Sequence, residues 1–251
     1  MCEVKMGKNN VYIFKIPFLN ISKEELLKLI SRRVEKKDKT YIVTANAEIA
    51  MHAKENPKYR SIIDKATYII PDGIGIVKGA KILNQDVCER IPGVELMVDL
   101  LKLANENNNS VYFYGAKPEV IEQLIINIKK DYPNIVISGY RDGYQSDDNN
   151  EICNEVVRLE PDYIFVAKGC PLQDEWIEKV IPKVDKGLFM GVGGSFDVIS
   201  GTVERAPEMW RKLNLEWLYR IGFNPKRWKR SVALPKFILE VIKEKHQNKI
   251  N

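Results

Sequence analysis

Six short runs of unbroken apolar, β-favouring residues recur along the chain, each closed by a polar or glycine turn. They are YIVTAN at 41–46, TYIIPDG at 67–73, SVYFYGA at 110–116, IVISGY at 135–140, YIFVAKG at 163–169 and GLFMGVGG at 187–194. A sheet with one wet face alternates apolar and polar residues, whereas strands apolar throughout belong to a parallel sheet covered by helices on both sides. The segments between them carry helical periodicity: Val94, Met97, Val98 and Leu101 form one face, as do Val120, Leu124 and Ile128. Pro118 is placed to open the second of these helices, and Ser22 to cap KEELLKLISRRVEKK. Alternation of this kind predicts an α/β fold, a Rossmann-like doubly wound and mainly parallel sheet. With 251 residues, 45% of them hydrophobic, the core needs no external staple.

The residue types present remove several classes of chemistry. Cys2, Cys88, Cys153 and Cys170 are far apart and form no C-x-x-C pair, so they read as packing residues of a reducing compartment. Two histidines, His52 and His246, do not make a His-rich zinc site, and a Ser-His-Asp triad would have to use His52. Any general base is therefore expected to be a carboxylate. The N-terminal stretch has no apolar run of signal-peptide length, and no stretch approaches the ~20 apolar residues of a spanning helix.

Charge divides the chain. Residues 205–251 hold 12 Lys and Arg against 4 Asp and Glu, while the remainder has 27 against 30. Trp210, Leu213 and Trp217 recur there at helical spacing, followed by NPKRWKR at 224–230. Beyond Pro235, Phe237, Ile238, Val241 and Ile242 share a face opposite Lys236, Glu240, Lys243 and Glu244. Residues 1–202 are thus expected to form a catalytic core and 203–251 a helical, basic, amphipathic appendage. Such an appendage suits an anionic membrane surface, an oligomer contact or a nucleic-acid arm.

Doubly wound sheets bind ligands beyond the carboxyl ends of their strands, here Thr44, Asp72, Gly115, Gly139, Gly169 and Gly193. Thr44-Ala45-Asn46-Ala47-Glu48 ends a strand and opens a helix, so Thr44 and Asn46 either cap that helix or help its amides bind an anion. In Pro71-Asp72-Gly73-Ile74-Gly75, Asp72 is the candidate general base or a turn aspartate, with glycines that would let the backbone pass near a ligand. The spacing through Gly79 misses the dinucleotide fingerprint, which weakens a dehydrogenase reading. Gly191-Val192-Gly193-Gly194-Ser195-Phe196-Asp197 offers Gly193 and Gly194 amides, with Asp197 beyond, to a diphosphate, or is a tight turn alone. Gln173 lies on the same edge and either binds substrate or begins a helix. Arg90 is a solvated arginine or a ligand-binding one. Arg227 and Arg230, with Arg220 upstream, make a guanidinium cluster suited to phosphate. No D-x-D triplet offers a divalent metal its ligands, and no Walker sequence is present.

Taken together, TANAE, PDGIGIV, ERIPGVEL, VYFYGAKPE, GYRDGY, PDYIFVAKGCPLQDEWI, GVGGSFDVISGTVERAP and LEWLYRIGFNPKRWKR resemble, in order and spacing, the WecG/TagA/CpsF family, glycosyltransferase family 26, over roughly residues 10–235. The resemblance implies transfer of N-acetylmannosamine from its UDP donor to the 4-hydroxyl of a polyprenyl-diphosphate-linked N-acetylglucosamine, with inversion, no metal and no cofactor. Asp72 then stands at the family's catalytic base, with Thr44, Asn46, Arg90 and Gln173 in the same pocket. Arg220, Arg227 and Arg230 match the appendage arginines that complete the site. It further implies a peripheral enzyme on the cytoplasmic membrane face, in synthesis of a surface polymer such as teichoic acid, and a homo-oligomer, with a trimer as one form. Glu95, Lys168 and Asp174 depart from the family pattern, and Glu95 and Lys168 keep another UDP-sugar, such as UDP-N-acetylmannosaminuronate or UDP-glucose, as an alternative donor. A nucleic-acid-binding Rossmann protein would explain the basic tail but not the glycine and aspartate positions, so no nucleic-acid partner is expected.

Overall fold

The computed structural model describes residues 10–144, 149–204, 206–207, 209–210 and 233–247. Local signals start the helices where expected. Ser22 caps α1 (Lys23–Glu35) in a reciprocal capping box with Glu25, and Pro118 is the first residue of α6 (Pro118–Asp131). The apolar runs become β3 (Thr40–Ala45), β4 (Tyr68–Pro71), β5 (Ser110–Gly115), β6 (Val136–Arg141), β7 (Tyr163–Ala167) and β8 (Leu188–Gly191). They pair in the order β4-β3-β8-β7-β5-β6, every pair parallel.

Residue parity explains why the strands are apolar on both sides. Tyr41 and Val43, Tyr112 and Tyr114, Ile164 and Val166, and Phe189 point to one core; Ile42, Val111 and Phe113, Tyr163 and Phe165, and Leu188 and Met190 point to the other. The first core is closed by α2 (Ala47–Glu55), α3 (Pro57–Ile63), α4 (Ile74–Ile82), α7 (Asn149–Leu159) and α8 (Leu172–Val180). The second is closed by α1, α5 (Gly93–Glu106), α6 and the short α9 (Ser195–Ile199). β6 departs from the pattern because it is an edge strand, with Val136 and Tyr140 exposed.

Two features go beyond the sequence reading. An antiparallel hairpin, β1 (Asn10–Ile13) and β2 (Ile16–Leu19), precedes the sheet. Its turn residues Phe14 and Lys15 both have positive φ (53° and 59°) without the Asn-Gly that usually marks such a turn. Second, the C-terminal helix α10 (Ala233–Gln247), within the stretch expected to be an appendage, packs on the body: Phe237 and Val241 are fully buried in the first core, and Ile238 lies against it. Gly75 and Gly79 face this helix. A Cβ at Gly75 would stand 2.8 Å from Leu234 Cδ1, and one at Gly79 2.8 Å from the Phe237 ring. Their smallness admits α10, a use of Gly75 and Gly79 that the sequence did not announce. Among the described residues, no helix is long and apolar enough to cross a membrane.

Candidate active site

β3 and β8 are neighbours whose following helices leave on opposite faces, α2 on one and α9 on the other. Their divergence opens a crevice at the carboxyl edge of the sheet. One wall of it is built by β3 and β4. Asp72 follows the last residue of β4, and its amide donates to the Ala45 carbonyl at 3.1 Å, so the turn stays in register with β3. The Asp72 carboxylate accepts the Gly93 amide at 3.2 Å, which sets it at the N-terminus of α5, a 14-residue helix. A helix start favours a negative group there.

Gly93 was missed by the sequence reading. A methyl group on it would come within 2.9 Å of Thr44 Oγ1 and 3.5 Å of Asp72 Oδ2. A glycine at the first position of a helix, directly after Pro92, was the available signal for this close approach. Thr44 is buried, and its hydroxyl faces the Gly191 carbonyl of β8 at a long 3.4 Å. Asn46 does cap α2, its Oδ1 accepting the Ile49 amide at 3.0 Å. Its amide NH2 donates to none of the described residues. Capping and ligand binding therefore use different atoms of one side chain. Arg90 is half-buried beside this wall, because the next residue, Ile91, donates its amide to the Pro71 carbonyl at 3.0 Å; no described residue pairs with it.

The opposite wall is the turn after β8. Gly193 takes a left-handed φ of +50°, and its amide donates to Gln173 Oε1 at 3.1 Å. Gln173 is buried, and a Cβ at Gly191 would collide with its side chain, 2.8 Å from Cδ. Gln173 thus braces the turn, and the Gly193 amide expected to meet a diphosphate is already engaged. The Gly194 amide donates to none of the described residues. Asp197 is half-buried in α9, and its backbone carbonyl gathers the Val203 amide and the Ser200 and Thr202 hydroxyls.

Behind Gln173, Asp174 is fully buried and accepts hydroxyl hydrogen bonds from Tyr41 of β3 and Tyr59 of α3, both at 2.8 Å. Burial lifts its carboxyl above the usual carboxylate range, and the two hydroxyl donors offset part of that. Burial and the nearby carboxylate raise both tyrosines in turn, so they remain protonated donors. This pair of partners could not be read from sequence, since the three residues are far apart in the chain. Of the other departures, Lys168 donates to the Tyr114 hydroxyl at 2.9 Å, and Glu95 lies in the first turn of α5. His52 sits in the last turn of α2 against Tyr59, with ring centroids 4.5 Å apart, and supports no triad at the edge. Arg220, Arg227 and Arg230 lie outside the described residues. No group of three or more His, Cys, Asp or Glu side chains among the described residues could hold a metal ion.

The arrangement sets a carboxylate, a buried hydroxyl and a free amide NH2 on one wall, facing a glycine turn on the other. Such a crevice can take an anion and remove a proton. Residues 11–251 match the model of a family described as glycosyl transferase WecG/TagA/CpsF. The chain is 38% identical over 238 residues, 94% of its own length and 93% of the relative's, to an N-acetylglucosaminyldiphosphoundecaprenol N-acetyl-beta-D-mannosaminyltransferase of Bacillus subtilis. Proteins of the same name from Bacillus spizizenii (41% over 203 residues, 81% and 79% covered) and Staphylococcus aureus (39% over 209 residues, 83% and 82% covered) are similarly related.

Proposed function

The chain belongs to the WecG/TagA/CpsF family of glycosyltransferases, and from that premise we propose that it transfers an N-acetyl-β-D-mannosaminyl group to the 4-hydroxyl of N-acetylglucosaminyl-diphospho-polyprenol, using the UDP-sugar as donor. The observation that carries this reading is the meeting of Asp72, Thr44, Asn46 and the α5 N-terminus at the crevice between β3 and β8. The names of the relatives state an N-acetyl-beta-D-mannosaminyl transferase acting on N-acetylglucosaminyldiphosphoundecaprenol, and the Bacillus subtilis relative is matched over 94% of this chain, which supports the reading.

Asp72 accepts the proton of the acceptor hydroxyl as its oxygen attacks the anomeric carbon opposite the leaving UDP, inverting configuration. The Asn46 amide and Thr44 hydroxyl hold the donor. With the Gly193 amide taken by Gln173, charge on the departing diphosphate falls to the Gly194 amide and to arginine, from Arg90 or from Arg220, Arg227 and Arg230. Chain length supports a share for the last of these. Leu234 meets Gly75, three residues beyond Asp72, and the four residues from Arg230 to Leu234 span at most about 14 Å.

A lipid-linked acceptor requires the crevice to reach a bilayer, and the basic residues of 205–232 would hold the enzyme peripherally on its anionic cytoplasmic face. In this reading the enzyme belongs to assembly of a wall-polymer linkage unit, and a homo-oligomer is its resting form. Transfer from UDP-N-acetylmannosamine to a short polyprenyl-diphosphate-linked N-acetylglucosamine, followed by chromatography of the lipid product, tests the reaction. Asp72→Asn is expected to lower kcat about 10²–10⁴-fold while the thermal shift given by UDP persists. Wild-type turnover by that variant rejects the base, and failure of every acceptor of this class rejects the function.

A further inference from the structure

We propose that α10 is a positioning element for the transfer reaction, acting through a glycine seam on α4 that fixes where Asp72 stands relative to Asn46. The proposal rests on the reading of this edge as the catalytic one. The two helices that open from the reactive strand ends are α2, which begins directly after Asn46, and α4, which begins two residues after Asp72. Their starts touch: a Cβ at Gly73 would lie 3.2 Å from Asn46 Cβ, and one at Gly75 3.1 Å from Ala47 Cβ. With no side chain at Gly73 or Gly75 the two starts approach closely, and the angle between the helices then depends on what fills the groove beside them.

α10 fills it. Leu234 enters at Gly75, and the Phe237 ring enters one turn later at Gly79, fully buried and edge-on to Phe14 with centroids 5.5 Å apart. Polar contacts on either side of this seam tie α10 to both helices and to the hairpin. Glu240 pairs with Lys54 of α2, and Lys236 pairs with Glu55. The Glu244 carboxylate accepts the Phe14 amide of the left-handed turn at 3.1 Å, and Lys245 reaches Asn84 just past α4. The space beside Gly75 and Gly79 is occupied in each case by an α10 side chain. A wedge so placed acts through Asp72 and Asn46 rather than by touching substrate, which makes Gly79, Leu234 and Phe237 positioning residues.

The test uses the full chain and three variants. Gly79→Ala places a methyl group 2.8 Å from the Phe237 ring, and Gly79→Ala with Phe237→Leu removes the ring atoms it strikes. Leu234→Ala loosens the seam at a half-buried position without any overlap, and so serves if Gly79→Ala does not fold. For protein shown to be folded by its melting curve, we expect Gly79→Ala and Leu234→Ala each to lower kcat about tenfold with donor KM unchanged. The double variant should recover most of the loss, and amide exchange at residues 73–76 should quicken in step with kcat. Wild-type kcat in folded variants whose exchange at 73–76 has quickened overturns the proposal, as does a loss that the Phe237→Leu partner fails to repair. An active Asp72→Asn beside an impaired Gly79→Ala refutes the base while keeping the seam.

Discussion

The two walls of the crevice hold their polar groups in different ways. Between described residues of the β3/β4 wall the contacts are long: the Gly93 amide meets Asp72 at 3.2 Å and the Thr44 hydroxyl faces a carbonyl at 3.4 Å, with the Asn46 NH2 left over after its cap. On the β8 wall the groups are consumed by the protein itself. Gln173 Oε1 takes the Gly193 amide, Asp174 takes two tyrosine hydroxyls, and Ser195 returns its hydroxyl to the Val192 carbonyl at 2.7 Å. Long contacts leave a group able to turn toward a substrate, while a turn braced by the protein's own groups keeps a fixed shape. On the proposed reading we expect the first wall to serve the reaction and the second to hold form.

If that division is right, small changes on the first wall should cost turnover and changes on the second should cost binding. Gly93→Ala adds a methyl group 2.9 Å from Thr44 Oγ1, and must push α5 away from Asp72 or turn Thr44 aside. The expected result is a 10–100-fold fall in kcat with donor KM nearly constant, since displacement of about an ångström has effects of that size. A fall in donor affinity alone would break the comparison by moving Gly93 to the binding side. Gln173→Ala releases the Gly193 amide from its acceptor, and the donor KM should rise by roughly two- to tenfold, the worth of one net hydrogen bond, with kcat within about twofold. A collapse of kcat instead would show that Gln173 belongs to the reacting wall.

What the sequence disclosed follows the same line. The sheet, its order of elements and the positions of Thr44 and Asp72 were legible because continuous apolar runs mark covered parallel strands and ligands gather where those runs end. Asp72 could be named because it stands just past the run TYII and Pro71. The roles of the glycines were not legible. Gly73 and Gly75 read as turn glycines and the spacing through Gly79 misses the dinucleotide fingerprint; only the fold reveals that Gly75 and Gly79 lie on a helix face occupied by Leu234 and Phe237. The hairpin was missed because Phe14 and Lys15 adopt left-handed geometry with neither Gly nor Asn to signal it. Asp174 stood out only as a departure from the family pattern, and its bracing role was hidden because its partners are contributed by β3 and α3.

Asp174 supplies the smallest and most specific test of the bracing wall. Burial makes its native carboxyl hold a proton more tightly than an aspartate in water does. The unfolded chain releases that proton near the ordinary value of about 3.9, so at higher pH the native state binds more protons than the unfolded one. Stability from this site is therefore complete below the unfolded value, and is lost as pH rises through the native one. Asparagine keeps the shape and one acceptor for Tyr41 or Tyr59 but cannot ionise. The melting temperature of the wild type relative to Asp174→Asn should accordingly be highest near pH 4 and decline toward neutrality, by about 2–4 °C for each kcal/mol in a chain of this size. A difference that instead grows with pH would mean that the ionised carboxylate is the form the two hydroxyls favour. The bracing wall would then be held by a buried charge, and its contrast with the reactive wall at Asp72 would have to be redrawn.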